Sequence, residues 1–322
     1  MLSANSWRRL PDTGGLFVLL ATLWGTSFVA IEVGLHHFPP VLFAALRYDV
    51  AGVIVLAYAV ASTDRWRPRS RDEWVQTAVT ALFVFAAYHA LLYMGERHIS
   101  GAVAAVVISL SPILTAGFGS VLDVDDPLQP LGAVGFLLGI VGVFVVVQPE
   151  PGSALSASLV GVLLVFMAGT SFALGSVLTR PLDTGLPVQT MEAWSMLLGA
   201  GLLHVVSVGR GESFAAIEWT QTAVGSLAYL SLASGVVAFL LYFELLDRLG
   251  PTELNLVGYL EPVVATLMSW VVLGQLVEDS TLVGFGVIFL GFAFIKWRAV
   301  RGLVRAHVPA AASDGQFGRN WR

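Results

Sequence analysis

Cysteine is absent from this chain of 322 residues, which excludes disulfides, thiolate metal sites and cysteine nucleophiles. Charge is scarce: 12% of the residues are Asp, Glu, Lys or Arg, against roughly 25% in soluble domains. With 56% hydrophobic residues and a mean hydropathy of +0.79, the chain reads as integral to a membrane, with no room for a large soluble domain. A glycine-rich phosphate-binding loop is missing too, which argues against direct drive by ATP. The histidines are His36, His37, His89, His98, His204 and His307, and no two of them pair at mid-depth with metal-ligand spacing. An intramembrane enzyme is therefore not expected, nor a metal, a cofactor or a nucleic-acid partner.

What the chain has is apolar runs of about 20 residues, the length that crosses a bilayer as a helix. Ten spans follow, at 16–36, 41–61, 74–94, 102–122, 129–147, 159–178, 187–208, 221–246, 254–273 and 280–297. Arg8 and Arg9 precede the first, as in a signal peptide, but Trp24 and Glu32 lie inside a run too long for one, so the first span is read as an uncleaved helix. One set of span ends carries fourteen Arg and Lys residues, the other only Arg97 and Arg210. The positive-inside rule then puts both termini in the cytoplasm of a cell-membrane protein.

The chain also repeats itself. Gly25-Thr26-Ser27-Phe28 recurs as Gly169-Thr170-Ser171-Phe172, and Gln76-Thr77-Ala78-Val79 as Gln221-Thr222-Ala223-Val224. Leu91-Leu92-Tyr93 recurs as Leu240-Leu241-Tyr242, and Gly135 and Gly142 as Gly284 and Gly291. Each half holds five spans, an odd number, so the second enters the membrane from the opposite side. The expected fold is all-α integral membrane, ten transmembrane helices as two inverted five-helix repeats. A cytoplasmic N-terminus (1–15), a first repeat (16–147), a linker (148–158) containing the Pro149-Glu150-Pro151-Gly152-Ser153 stretch, a second repeat (159–297) and a cytoplasmic basic tail (298–322) divide the chain. In the tail Arg298, Arg301 and Arg305 share one helical face, an anchor for anionic headgroups.

Prolines interrupt the fourth and ninth spans, at Ser111-Pro112 and Glu261-Pro262. Paired interruptions in matching positions of two halves point to a transport site near the midplane. At a rise of about 1.5 Å per residue, they lie roughly 15 and 12 Å into their spans. Trp24, Thr26, Ser27, Thr170 and Ser171 fall at a similar level. Each proline lacks the N–H that the carbonyl four residues earlier needs, here those of Ile108 and Gly258. The expected cavity set is Trp24, Thr26, Ser27, Ser111, Pro112, Thr170, Ser171, Gly258, Glu261 and Pro262. Glu261 stands out, because a carboxylate near the bilayer centre is costly and functional by default; it is the candidate carrier of a coupling proton. Glu32, Arg47, Tyr88 and His89 are expected in an outer vestibule. Glu32 is the expected partner of Arg47, since Glu192, which the repeat aligns with Arg47, falls in the opposite third of the membrane.

The pattern resembles the EamA-type members of the drug/metabolite transporter superfamily. The resemblance is carried by Leu23-Trp24-Gly25-Thr26-Ser27-Phe28-Val29-Ala30, Phe43-Ala44-Ala45-Leu46-Arg47-Tyr48, Ser109-Leu110-Ser111-Pro112, Leu249-Gly250-Pro251, and Leu260-Glu261-Pro262-Val263 with Leu273-Gly274. It implies a central substrate cavity beside the fourth and ninth spans and movement, often efflux, of amino acids, related metabolites or drugs. Two departures stand out: Gly274-Gln275 replaces the usual Gly-Glu, and Asp123-Val124-Asp125-Asp126 replaces its first-half counterpart. The function expected is secondary-active transport, as an exporter of small metabolites such as amino acids or related compounds, by alternating access around the mid-membrane cavity. Its partners are a small-molecule substrate, the lipid bilayer, a proton as candidate coupling ion and a second copy as candidate homodimer. A multidrug or amine efflux carrier of the same fold is the alternative, with a membrane sensor or assembly subunit behind it.

Overall fold

The computed structural model describes residues 13–124, 130–147, 156–182, 184–249, 254 and 256–295. Arg8 and Arg9, Asp125 and Asp126, the 149–153 stretch, Gly250-Pro251 and the tail from 298 lie outside them.

Each apolar run is a helical rod, because a backbone in lipid must satisfy its polar groups within its own segment. In chain order the rods are α1 (Thr13–Gly34), α2 (Pro40–Ser62), α3 (Arg71–Gly95), α4 (Gly101–Val121), α5 (Pro130–Val147), α6 (Ala157–Leu178), α7 (Val188–Gly209), α8 (Gln221–Leu249), α9 (Val257–Leu273) and α10 (Asp279–Ile295). Their starts are marked by hydroxyl caps: Ser70, Ser100, Ser156 and Thr220 each accept the N–H of the residue three further on.

The halves pack crosswise. α1 lies on α9 and α8, while α6 lies on α4 and α3. The partners α2 and α7, and α5 and α10, meet each other across the pseudo-symmetry axis. The repeated glycines make the last pair close. A Cβ on Gly135 would come within 2.3 Å of the Gly291 carbonyl oxygen, and one on Gly142 within 2.8 Å of that of Gly284. Small residues let helix backbones approach in lipid, where no hydrophobic drive joins them.

Loops also cross between halves. Glu212 accepts the N–H groups of Val41 and Leu42 (3.4 and 2.8 Å), placing a carboxylate on the N-terminus of α2. At the other end Thr190 donates to the Arg65 carbonyl (2.8 Å) and Trp194 to that of Trp66 (2.9 Å).

The two prolines differ. At Ser109 and Leu110 the bonds of α4 tighten, Leu110 N–H reaching Val107 at 3.1 Å, and Pro112 opens a fresh helical segment, Ser111–Val121. A proline there loses no bond, because the first turn has spare N–H groups. The expected second interruption does not fall at Pro262. Pro262 lies inside the continuous stretch Val257–Met268. Counted from Val257, Pro262 rides in the second turn of this helix.

Candidate functional site

The α1 and α6 signature segments grip the opposite half. A methyl on Gly25 would stand 2.8 Å from the Glu261 carbonyl oxygen and 2.6 Å from Val264 Cβ. One on Gly169 would stand 3.1 Å from Ser111 Oγ. Each half's glycine is thus the seat for the other half's proline-bearing helix.

Both third helices of the repeats carry a π-helical stretch, Ala81–Ala87 in α3 and Tyr229–Val237 in α8. Such stretches frequently mark functional sites, and they leave carbonyls off the regular ladder. Side chains from the other half serve them. Ser171 donates to Phe83 O (2.8 Å), and Trp24 Nε1 to Ser234 O (3.3 Å). Tyr229 donates to Leu23 O (3.2 Å). Ser27 and Thr170 turn back on their own helices, to Trp24 O (2.5 Å) and Phe166 O (2.9 Å). Ser111 Oγ is buried with no partner among the described residues.

Arg47 is 4% exposed. Its guanidinium donates to Tyr93 Oη (3.2 Å) and Ser234 Oγ (3.0 Å), lies 5.0 Å from the Tyr48 ring centroid, and leaves Nε without a partner among the described residues. The expected pairing with Glu32 does not form. Glu32 instead accepts Gly101 N–H (2.7 Å) and Gln275 Nε2–H (2.8 Å). Arg47 finds hydroxyl acceptors on α3 and α8 while Glu32 finds N–H donors elsewhere, because the α2 face carrying Arg47 turns inward. Asp49, two residues on, points elsewhere and meets His204 at 2.7 Å.

His89 is buried beside this cation. Its Nδ1 faces the Phe85 carbonyl (2.9 Å), which can only accept, so Nδ1 carries the hydrogen and Nε2 accepts from the Tyr48 hydroxyl (2.5 Å). Tyr88 is half-buried, its ring edge-on to His89 at 4.5 Å and tilted against Phe172 at 5.5 Å. Trp24 closes the other side against Phe239 and Tyr242, at 5.6 and 5.7 Å. Glu261 is half-buried and makes no hydrogen bond or ion pair with another described residue; Pro262 is buried, and open space lies over Gly258. Tyr88 lies within electrostatic range of both Glu261 and Arg47.

The spacing of apolar residues did not reveal several members of this group. Tyr93 and Ser234 hold Arg47, and Glu192 is a buried carboxylate with Oε2 unserved. A conspicuous signal was available for Glu192 alone, its position in the repeat against Arg47. At the end where Gly34, Gly95 and Leu273 terminate their helices, two adjoining cavities of about 530 and 760 Å³ open. Glu32 lines the larger, together with Glu96 and Gln275.

Known proteins share this layout. The model of the EamA-like transporter family matches residues 13–148 and again 159–297. An uncharacterized inner membrane transporter of Escherichia coli strain K12, YedA, is 26% identical over 89% of this chain and 90% of its own length. The uncharacterized transporter YvbV of Bacillus subtilis is 24% identical over 91% and 94%. An uncharacterized transporter of Archaeoglobus fulgidus is 24% identical over 87% of this chain and 97% of its own. A crystal structure at 21% identity has the same fold, with a TM-score of 0.63 over 90% of this chain and 98% of that one. Ten apolar rods in two crosswise halves, matched twice by one family model, make this chain a multi-pass membrane transporter that belongs to the EamA-like transporter family.

Proposed function

We propose that the chain is a secondary-active exporter of small dipolar metabolites, amino acids or close relatives, working by alternating access about the crossing of α1, α4, α6 and α9. The observation that carries this reading is a buried guanidinium with no carboxylate and a half-buried carboxylate with no donor among the described residues, both within range of Tyr88. Either charge alone is costly at this depth. A substrate bearing an anionic and a cationic group would compensate both at once. Trp24, Thr26, Ser27, Ser111, Thr170 and Ser171 supply the surrounding wall, and Glu261 carries the coupling proton. The fourteen-to-two distribution of Arg and Lys supports cytoplasmic termini in the cell membrane, with the two cavities facing outward.

Counterflow in proteoliposomes, run with a panel of amino acids, amines and drugs, tests this. At least one zwitterionic amino acid should exchange, and Arg47→Gln or Glu261→Gln should slow it about tenfold or more, the cost of deleting one charged contact. Glu261→Gln should also flatten the pH dependence. Exchange of amines and drugs alone would move the reading to a multidrug carrier. No exchange of any solute by folded protein would favour a sensor or assembly subunit.

A further inference from the structure

The cavity end of the bundle holds a carboxylate that no described residue serves. Glu96 is the first residue beyond α3, and its side chain is 4% exposed. Both Oε1 and Oε2 are buried with no hydrogen-bond partner among the described residues. It lines the 760 Å³ cavity alongside Glu32 of α1.

The charged groups around it are accounted for. Arg97 donates to the Leu35 carbonyl (2.8 Å), and Glu278 of the α9–α10 loop accepts from Ser280 (3.4 Å). His36 and His98 line the same space. Arg47 of α2 attracts the Glu96 charge, and Glu32 repels it. Two carboxylates in one enclosed space do not both ionise cheaply. Glu32 has a donor on each oxygen, Gly101 N–H and Gln275 Nε2–H, as an anion requires. Glu96 has none. The asymmetry gives the charge to Glu32 and leaves Glu96 neutral. Size narrows the occupant further. Each Glu96 oxygen exposes less than 1 Å², so neither a hydrated metal ion nor an amine has room to reach it. A proton needs none.

We propose that Glu96 is a proton-binding site of this transporter, loaded while Glu32 fastens the start of α4 and the α9–α10 loop around it. Burial, with the Glu32 charge beside it, pushes the Glu96 carboxyl well above the usual carboxylate range. Loss of the proton, once water is admitted to the carboxyl, leaves two carboxylates side by side. Their repulsion is relieved when Glu32 lets go of Gly101 and Gln275, which opens this end. The proton site stands on the geometry alone; its coupling to opening rests on the carrier reading above.

Infrared difference spectra of the full chain in lipid nanodiscs test the site without any substrate. The wild-type protein should show a protonated-carboxyl C=O band at neutral pH that shifts in D₂O, is lost in Glu96→Gln and survives in Glu261→Gln. In Glu32→Gln the same band should titrate away about one pH unit lower or more, because the neighbouring anion is gone. A neutral-pH spectrum unchanged by Glu96→Gln overturns the proposal. If Glu96→Gln does not fold, the Glu32→Gln midpoint decides it, and an unmoved midpoint overturns it equally. Amide exchange around Gly101 extends the test to opening: corrected for intrinsic rates, it should rise with pH in the wild type and stay flat in Glu96→Gln. Equal pH profiles would remove the coupling while leaving the proton site. Failure of counterflow would touch neither measurement.

Discussion

Arg47 and Glu96 are the two side chains whose burial is hardest to explain by packing. Arg47 spends its guanidinium on neutral hydroxyls, although a buried cation is far cheaper beside an anion. Arg47→Met should therefore leave folding intact or improve it, measured as an equal or higher melting temperature in detergent, while abolishing exchange. Glu96 has a signature in stability. A carboxyl held neutral in the folded protein, but free to ionise in the unfolded chain, contributes stability that is full in acid. That contribution is lost as pH rises from the unfolded value, about 4.3, through the higher folded one. Relative to Glu96→Gln, the wild type should melt lower by a growing margin, reaching a few degrees. The gap should stop widening once Glu96 ionises in place. A margin that stays constant across pH would show that Glu96 titrates alike in both states.

At the scale of elements, glycines divide by what they touch. Gly25→Ala and Gly135→Ala would press a methyl onto backbone carbonyls that cannot move aside, at 2.8 and 2.3 Å. Each should cost roughly 1–3 kcal/mol. Gly169→Ala meets a hydroxyl at 3.1 Å that can rotate, so its cost should be smaller. Gly286 faces open space within α10, and Gly286→Ala should be neutral or stabilising by up to about 1 kcal/mol. Melting curves of the four variants should fall in that order. The rods themselves were legible in the sequence, because apolar length alone dictates a spanning helix, and the repeated glycines announced a repeated packing role. The break at Pro112 was legible for the same reason. Pro262 was not, since a proline marks a missing bond without saying where the helix around it begins. The π stretches of α3 and α8 carry no residue type that announces them. The partner of Arg47 was missed because periodicity gives the face a residue lies on but not which neighbour that face meets. Glu96 escaped notice as a residue at the edge of a span, where carboxylates are ordinary.

At the scale of the whole molecule, the absence of cysteine gives a clean background for labelling. Single substitutions His37→Cys and Arg67→Cys should sort the two ends: an impermeant maleimide added to intact cells should label the first and not the second. Two halves made as separate chains, divided within residues 148–155, should co-purify when expressed together and fail to accumulate singly. Accumulation of either half alone as a folded species would contradict the crosswise packing. That packing also sets an order of events during synthesis. The notch at Gly25 is in the membrane early, yet the helix that seats there is among the last to leave the ribosome. The Phe83 carbonyl likewise waits for Ser171. Until α9 arrives, the nascent first half must hold open polar sites in lipid. The long interval between the arrival of each socket and its plug, rather than the final fold, is where assistance during insertion would act and where damage to either segment would be read as degradation.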